Sequence, residues 1–385
     1  MKKLAIVTTH PIQYYAPIFK LLQARDRIKI KVFYTAGRQV ENGHDQGFDK
    51  AIRWDVPLLE GYDLTWLDNV AKDPGYHHFK GIDNPSAIKI IESWSPDAIL
   101  VIGWACKSHL KIMRYFKNKR KVYFRGDSNL LKEGSGLKQI LKTFLLRWVY
   151  QHVDHAFFVG KNNKEYYIKY GLKEAQLSFA PHAIDNDRFS EMRGTECDLL
   201  RTALNVGYGD ILILFAGKFE PVKNIELLLS AFLSLNKPNI HLLVTGNGIL
   251  ENNLKKKARE SSNMDKVHFM EFKNQTYMPV LYQSADLFCL PSKSESWGLS
   301  VNEAMACGKA VLVSDKVGCA ADLIRPGVNG LVFDEGDEAS LTASLDSLTN
   351  DKSQLGAMGE ISRTIIAEWN FLNIVKAIED EIDKN

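Results

Sequence analysis

The sequence has no stretch near the roughly 18 uninterrupted apolar residues that a membrane-spanning helix needs, although 45% of its 385 residues are hydrophobic. A helical membrane span is therefore not expected. Met1-Lys2-Lys3 followed by Leu-Ala-Ile-Val imitates the start of a secretion signal, but the apolar run stops at Thr8-Thr9-His10-Pro11, too early for one. It reads as a first buried strand. The five cysteines (Cys106, Cys197, Cys289, Cys307, Cys319) are odd in number, far apart and mostly set in apolar runs. That argues against a disulfide framework or a zinc site and for buried thiols in a reducing cytosol. No G-x-G-x-x-G follows a first strand in either half, which disfavours a dinucleotide-binding dehydrogenase. No Asp-x-Asp pair stands at a strand end where it would hold a divalent metal. Repeats and low-complexity segments are missing too, and no cofactor is expected.

The chain is too long for one ordinary core and suits two domains, each burying a sheet between helices. The net charge is only +3, yet residues 101–150 hold twelve Lys or Arg against two acidic residues, a local balance of +10 that leaves −7 elsewhere. Such clustering implies an anionic partner, a membrane or a phosphate-bearing acceptor, with nucleic acid not expected. Within it, Leu137, Leu141, Phe144, Leu145 and Trp148 fall on one stripe of a helix, with Lys138 and Lys142 along its edge and Arg147 on the other side. Two readings stay open: the stripe packs on the first sheet, or it lies on an anionic membrane as a peripheral anchor.

Short apolar runs alternate with helical patterns at Leu4–Thr8, Lys29–Tyr34, Ala98–Ile102, Lys121–Phe124, Ala156–Val159 and Leu177–Pro181. After a polar stretch the rhythm restarts at Ile211–Ala216, Ile240–Thr245, Val267–Glu271, Leu287–Leu290, Ala310–Ser314 and Gly330–Phe333. Strands that are apolar throughout belong to parallel sheets covered on both faces, so the fold class is α/β with two Rossmann-like, doubly wound domains. Ligands then bind beyond the carboxyl ends of the strands, in a crevice the two domains are expected to share.

Three strand ends carry chemistry. Ile211–Ala216 runs into Gly217-Lys218-Phe-Glu-Pro-Val-Lys223-Asn224 and then an amphipathic helix, so two cations stand beside a helix N-terminus, a site suited to a diphosphate. The plainer reading has solvated lysines and Asn224 capping the helix. Gly246 and Gly248 in Thr245-Gly-Asn-Gly248 either let the backbone approach a ligand or make a tight connection. In Pro291-Ser-Lys-Ser-Glu295-Ser-Trp-Gly-Leu-Ser300-Val-Asn-Glu303, Glu295 lies on the loop and Glu303 in the first turn of the next helix, so both carboxylates can accept hydrogen bonds from sugar or ribose hydroxyls. Ser300-Val-Asn-Glu303 also has the spacing of a capping box, which would give Glu303 a structural role instead.

Glu295 and Glu303, with Gly298 and Leu299 between them, resemble the E-x7-E motif of retaining glycosyltransferases of family 4, which adopt the GT-B fold. Phe215-Ala-Gly-Lys218-Phe-Glu-Pro-Val-Lys223-Asn is similar to that family's diphosphate loop. Val244 to Gly248, Ser284-Ala-Asp286, Gly308 to Leu312 and Gly327 to Phe333 follow its pattern in order, so the resemblance spans roughly residues 208 to 345. It implies that Lys218 and Lys223 carry the diphosphate of a nucleotide-sugar, with Gly217 and Gly246 lining it. Glu295 would contact the donor sugar, Ser296, Trp297, Gly298 and Leu299 would line the sugar site partly through backbone, and Glu303 would bind the ribose. The base would lie near Phe272 and Lys273.

The first domain resembles the family more loosely. Thr9 to Pro17 is similar to the opening of a subgroup found among surface-polysaccharide enzymes, and Phe179 to Phe189 to the family's crossover segment. Many members place a histidine beside the donor sugar; here Tyr123-Phe-Arg-Gly-Asp-Ser128 offers Arg125 and Asp127, and His10 ends the first strand. Asp127 and His10 are expected on the acceptor side, against plainer readings as a turn carboxylate and a helix-capping imidazole. The implied division is an acceptor-side domain over 1–190, a donor domain over 191–365, and a last segment, 366–385 with Trp369, returning as a helix to the first domain. The implied activity is metal-independent transfer of a hexose to a glycan or lipid-linked acceptor, in the cytoplasm or on the inner membrane face. A sugar-nucleotide epimerase, a phosphorylase, or a non-catalytic nucleotide-sugar-binding subunit are the alternatives on the same fold.

Overall fold

A computed structural model describes residues 1–38, 44–45, 50–51, 54–235 and 237–384. The chain forms two units. One holds Met1–His44, Ala51–His182 and the helix Phe371–Asp383, and the other holds Asp45, Lys50 and Ala183–Asn370.

The first unit is built on seven strands: β1 (Lys3–Thr8), β2 (Lys29–Tyr34), β3 (Leu64–Trp66), β4 (Ala98–Ile102), β5 (Lys121–Arg125), β6 (His155–Phe158) and β7 (Leu177–Phe179). They lie in the order β3-β2-β1-β4-β5-β6-β7, every pair parallel. Ala5, Val7, Ile99, Val101, Val122 and Phe124 are fully buried in its core, as strands covered on both faces require. Only the edge strand β3 escapes the sequence pattern. Its three residues are all half-buried and make no apolar run.

Helices alternate with these strands, and two of them matter below. α1 (Ala16–Arg25) begins after β1, and α2 (Leu137–Tyr150) precedes β6. The last helix of the chain, Phe371–Asp383, packs on α1, where the buried Glu379 carboxylate receives two hydrogen bonds from the Arg25 guanidinium at 3.0 Å each. Tyr123 Oη on β5 also donates to Glu381 O at 3.3 Å.

The second unit has six strands: β8 (Ile211–Ala216), β9 (Ile240–Thr245), β10 (Val267–Met270), β11 (Leu287–Leu290), β12 (Ala310–Ser314) and β13 (Gly330–Phe333). Their order is β10-β9-β8-β11-β12-β13, again all parallel. Both sheets thus show the 3-2-1-4-5-6 order of doubly wound nucleotide-binding folds, the first with one strand added. The helices that matter for the site are α3 (Ile225–Ser234) after β8, α4 (Met278–Ser284) before β11 and α5 (Leu299–Ala306) after it.

The unit boundaries fall after His182 and Asn370, where the sequence reading has 190 and 365. Side chains account for the offset: Asn186 Nδ2 donates to Ile366 O and Trp369 O at 3.2 and 3.1 Å, so both segments belong to the second unit.

All five cysteines are buried and free. Among the described residues no helix is long and apolar enough to cross a membrane.

Candidate functional site

β8 and β11 are neighbours in the second sheet, and the chain leaves them for strands on opposite sides, β9 and β12. This is the switch point at which a doubly wound sheet opens a crevice beyond its strand ends. The two segments emerging there are Gly217–Asn224 and Pro291–Gly298.

The first segment is held by its neighbour. Gly217 N–H donates to Thr245 O at 3.1 Å and Phe219 N–H to Asn247 O at 2.8 Å, with the Phe219 side chain buried. A Cβ on Gly246 would stand 1.9 Å from Gly217 O, so this glycine is required for close backbone contact between the two loops. That contact fits the second of the two readings its sequence allowed, a tight connection. A short turn, Pro221–Lys223, leads to Asn224 in the left-handed region, and α3 starts directly afterwards. Asn224 makes no side-chain cap on α3, contrary to the plainer sequence reading.

The second segment crosses the first. Lys293 N–H donates to Val222 O at 2.8 Å, and Glu295 N–H to Lys316 O at 3.1 Å. The Glu295 carboxylate accepts a hydrogen bond from Ser292 Oγ at 2.9 Å and pairs through Oε1 with the Lys223 ammonium. Both charged groups keep some access to solvent. Lys218 leaves the end of β8 half-buried in the same loop.

The loop after Glu295 turns inward. Ser296 is exposed, but Trp297 is buried and its indole Nε1 donates to Asn302 Oδ1 at 2.9 Å, so Trp297 offers a ligand backbone only. Gly298 takes φ +100° as the N-cap of α5, where an added Cβ would meet Val317 Cγ1 at 3.0 Å. Starting the helix at Leu299 places Glu303 in the second turn, with Ser300 inside the helix. The capping box therefore does not form, and the expected first-turn position of Glu303 is corrected. Glu303 is 3% exposed and accepts a hydrogen bond from Tyr282 Oη on α4 at 2.8 Å. Farther along the strand ends, Asn247 Oδ1 accepts from Phe272 N–H at 3.2 Å, and Lys273 Nζ stands 5.4 Å from the centre of the Tyr277 ring.

In the first unit the strand ends gather a different set. Arg125, 2% exposed at the end of β5, donates from Nη1 and Nη2 to Ala180 O and Pro181 O, each at 2.8 Å. The next residue, His182, is buried with Nε2 4.0 Å from Asp127 Oδ2 and its ring stacked on Tyr15 at 6.3 Å. Burial, and then the Arg125 charge, push the His182 imidazole down to about 3. Burial raises the Tyr15 phenol, opposed by Arg125. His182 is thus a neutral imidazole at physiological pH.

Asp127 lies in this group, at the edge of it. His10 sits at the end of β1, stacked on Tyr76 at 4.4 Å, with Nδ1 2.9 Å from Thr9 Oγ1. It does not cap a helix, since α1 begins after Tyr15. His182 and Tyr15 are the residues sequence reasoning missed. His182 was legible by the same rule that selected Asp127, because it follows the end of β7, but it was read only as part of a crossover.

The fold and these strand ends define a two-unit α/β protein of the GT-B class. Residues 198–364 match the family model described as "Glycosyl transferases group 1". A D-inositol 3-phosphate glycosyltransferase from Mycobacterium ulcerans is 31% identical over 173 residues, which is 44% of this chain and 36% of that protein. The chain spans well under half the length of such curated relatives. Among solved structures, Anabaena HepE in complex with UDP aligns over all of both chains with a TM-score of 0.73 and 17% identity. WaaG, a glycosyltransferase involved in lipopolysaccharide biosynthesis, aligns over 99% of this chain and all of its own with a TM-score of 0.68 and 15% identity.

Proposed function

We propose that this protein is a retaining, metal-independent glycosyltransferase of family 4 that moves a sugar from a nucleotide-sugar to a glycan or lipid-linked acceptor in surface polysaccharide synthesis. The observation that carries this reading is the meeting of Lys223 and Glu295 at the β8/β11 switch point, inside the segment that matches the group 1 family.

Lys218, Lys223 and the start of α3 supply positive potential for the diphosphate. Glu295 accepts hydrogen bonds from hydroxyls of the transferred sugar, next to the phosphates, because it is tied to Lys223. Glu303 takes the ribose, Ser296 to Leu299 line the sugar through their backbone, and the Phe272–Lys273 segment lies by the base. The leaving phosphate oxygen takes the acceptor's proton, so rate comes from positioning and charge stabilisation. In the first unit, neutral His182 is a hydrogen-bonding group for sugar, while Asp127 and His10 serve the acceptor. A lipid-linked acceptor places the protein on the cytoplasmic face of the inner membrane.

The test is release of nucleoside diphosphate, with and without acceptor, across a panel of UDP-, GDP- and other sugar donors. UDP-glucose heads the panel, since HepE structures contain UDP and UDP-glucose. Acceptor-dependent release with one donor supports the proposal. Turnover of donor to an isomer without acceptor would replace it with an epimerase.

A further inference from the structure

α2 is apolar on two faces. Leu146, Val149 and Tyr150 are buried in the first unit's core and anchor the helix there. The opposite face carries Leu137, Ile140, Leu141, Phe144, Leu145 and Trp148, all exposed, from 38% at Trp148 to 71% at Leu137. The reading in which this stripe packs on the sheet is thereby overturned. At 100° per residue these six side chains cover a continuous arc. Lys138 and Lys142 bound the arc on one edge and Arg147 on the other, all exposed.

A contiguous apolar face of this kind on one helix marks a contact surface. From it we infer that the outer face of α2 docks on an anionic lipid bilayer, lying in the headgroup region with Phe144 and Leu141 deepest. The charge pattern selects the occupant. Cations on both margins reach lipid phosphates while their stems lie along the acyl boundary. Trp148, with the Arg114 guanidinium 5.3 Å from its ring centre, suits the interface. A second copy of the chain would instead bring these cations against their like across the contact, which disfavours it. The wider excess of basic residues over 101–150 attracts the same surface from a distance.

The inference deepens the proposed function by naming the surface that meets a lipid-borne acceptor, and it rests on that reading only for the acceptor. Vesicle binding needs no turnover, so the two fail separately. The experiment is sedimentation of the full chain with phosphatidylcholine vesicles, with and without phosphatidylglycerol, at low and physiological salt. The expected result is binding that requires phosphatidylglycerol and weakens with salt. Leu141→Ser/Phe144→Ser should bind about tenfold more weakly or worse. Lys138→Gln/Arg147→Gln should lose the preference for anionic lipid. The substituted side chains are exposed, so thermal midpoints and release of nucleoside diphosphate to a soluble acceptor should stay at parent values. Three outcomes overturn the inference: no binding at low salt, binding unchanged in Leu141→Ser/Phe144→Ser, or a dimer in sedimentation velocity that this double substitution dissociates.

Discussion

The Lys223 ammonium and the Glu295 carboxylate, 72 positions apart in the sequence, form an ion pair where the chain emerges from β8 and β11. The pair fixes the lysine beside the loop glutamate, so a diphosphate on one and a sugar on the other become neighbours. It also means that removing either residue alters the charge seen by the other. Lys223→Ala should lower kcat/KM about 10- to 150-fold, the ~1.5–3 kcal/mol scale of a hydrogen bond to a charged group. Steady-state kinetics with the identified donor measure it.

Glu303→Ala should weaken nucleoside diphosphate binding and, separately, lower stability by about 1–3 kcal/mol, because Tyr282 Oη is left buried without this acceptor. Glu303→Gln keeps an acceptor for Tyr282 and should restore much of the stability but not the affinity. Calorimetric binding and thermal unfolding of both variants check the two effects independently.

How much was legible depended on the local pattern. Buried parallel strands announce themselves as apolar runs, so every strand of the two large sheets but the half-buried β3 could be read, and their ends pointed to Lys218, Lys223, Glu295 and Asp127; the short pair His44–Asp45 and Lys50–Ala51 has no apolar run and was not. Glu303 was located, but its setting was not: the Ser300-x-x-Glu303 spacing fits a capping box, whereas a left-handed Gly298 starts the helix two residues earlier. Gly246 resembled a ligand-approach glycine, and its packing need, the 1.9 Å clearance to Gly217 O, shows only in the folded loops. The partnership of Arg125 with Ala180 and Pro181 joins segments 55 and 56 positions apart, which no local spacing encodes. The orientation of α2 was equally hidden, since apolar residues occur on both of its faces.

Transfer should persist in excess EDTA, because Lys218, Lys223 and the start of α3 can neutralise the diphosphate. Loss of activity on chelation with recovery on Mg²⁺ or Mn²⁺ would reject that account of the leaving group.

His182 gives a pH signature. The unfolded chain binds a proton at this residue as pH falls through about 6.5, while the folded imidazole does so only near 3. In between, the unfolded state holds the extra proton, so stability is retained above about 6.5 and declines as pH falls below it. His268, pushed down to about 4 by burial and His241, acts in the same direction. His182→Gln should therefore narrow the gap in thermal midpoint between about pH 7.5 and about pH 5. An unchanged gap would mean that His182 is not held neutral.

The central claim is that Glu295 serves the transferred sugar while Lys223 serves the leaving diphosphate. Calorimetric titration of nucleoside diphosphate into the parent, Lys223→Ala and Glu295→Ala proteins, alongside their turnover, tests it most directly. The account predicts weaker binding for Lys223→Ala. For Glu295→Ala it predicts binding as tight as the parent's or tighter, because that ligand has no sugar to lose and Lys223 is released from its ion pair, together with a strong fall in transfer. Transfer at the parent rate by Glu295→Ala would contradict it.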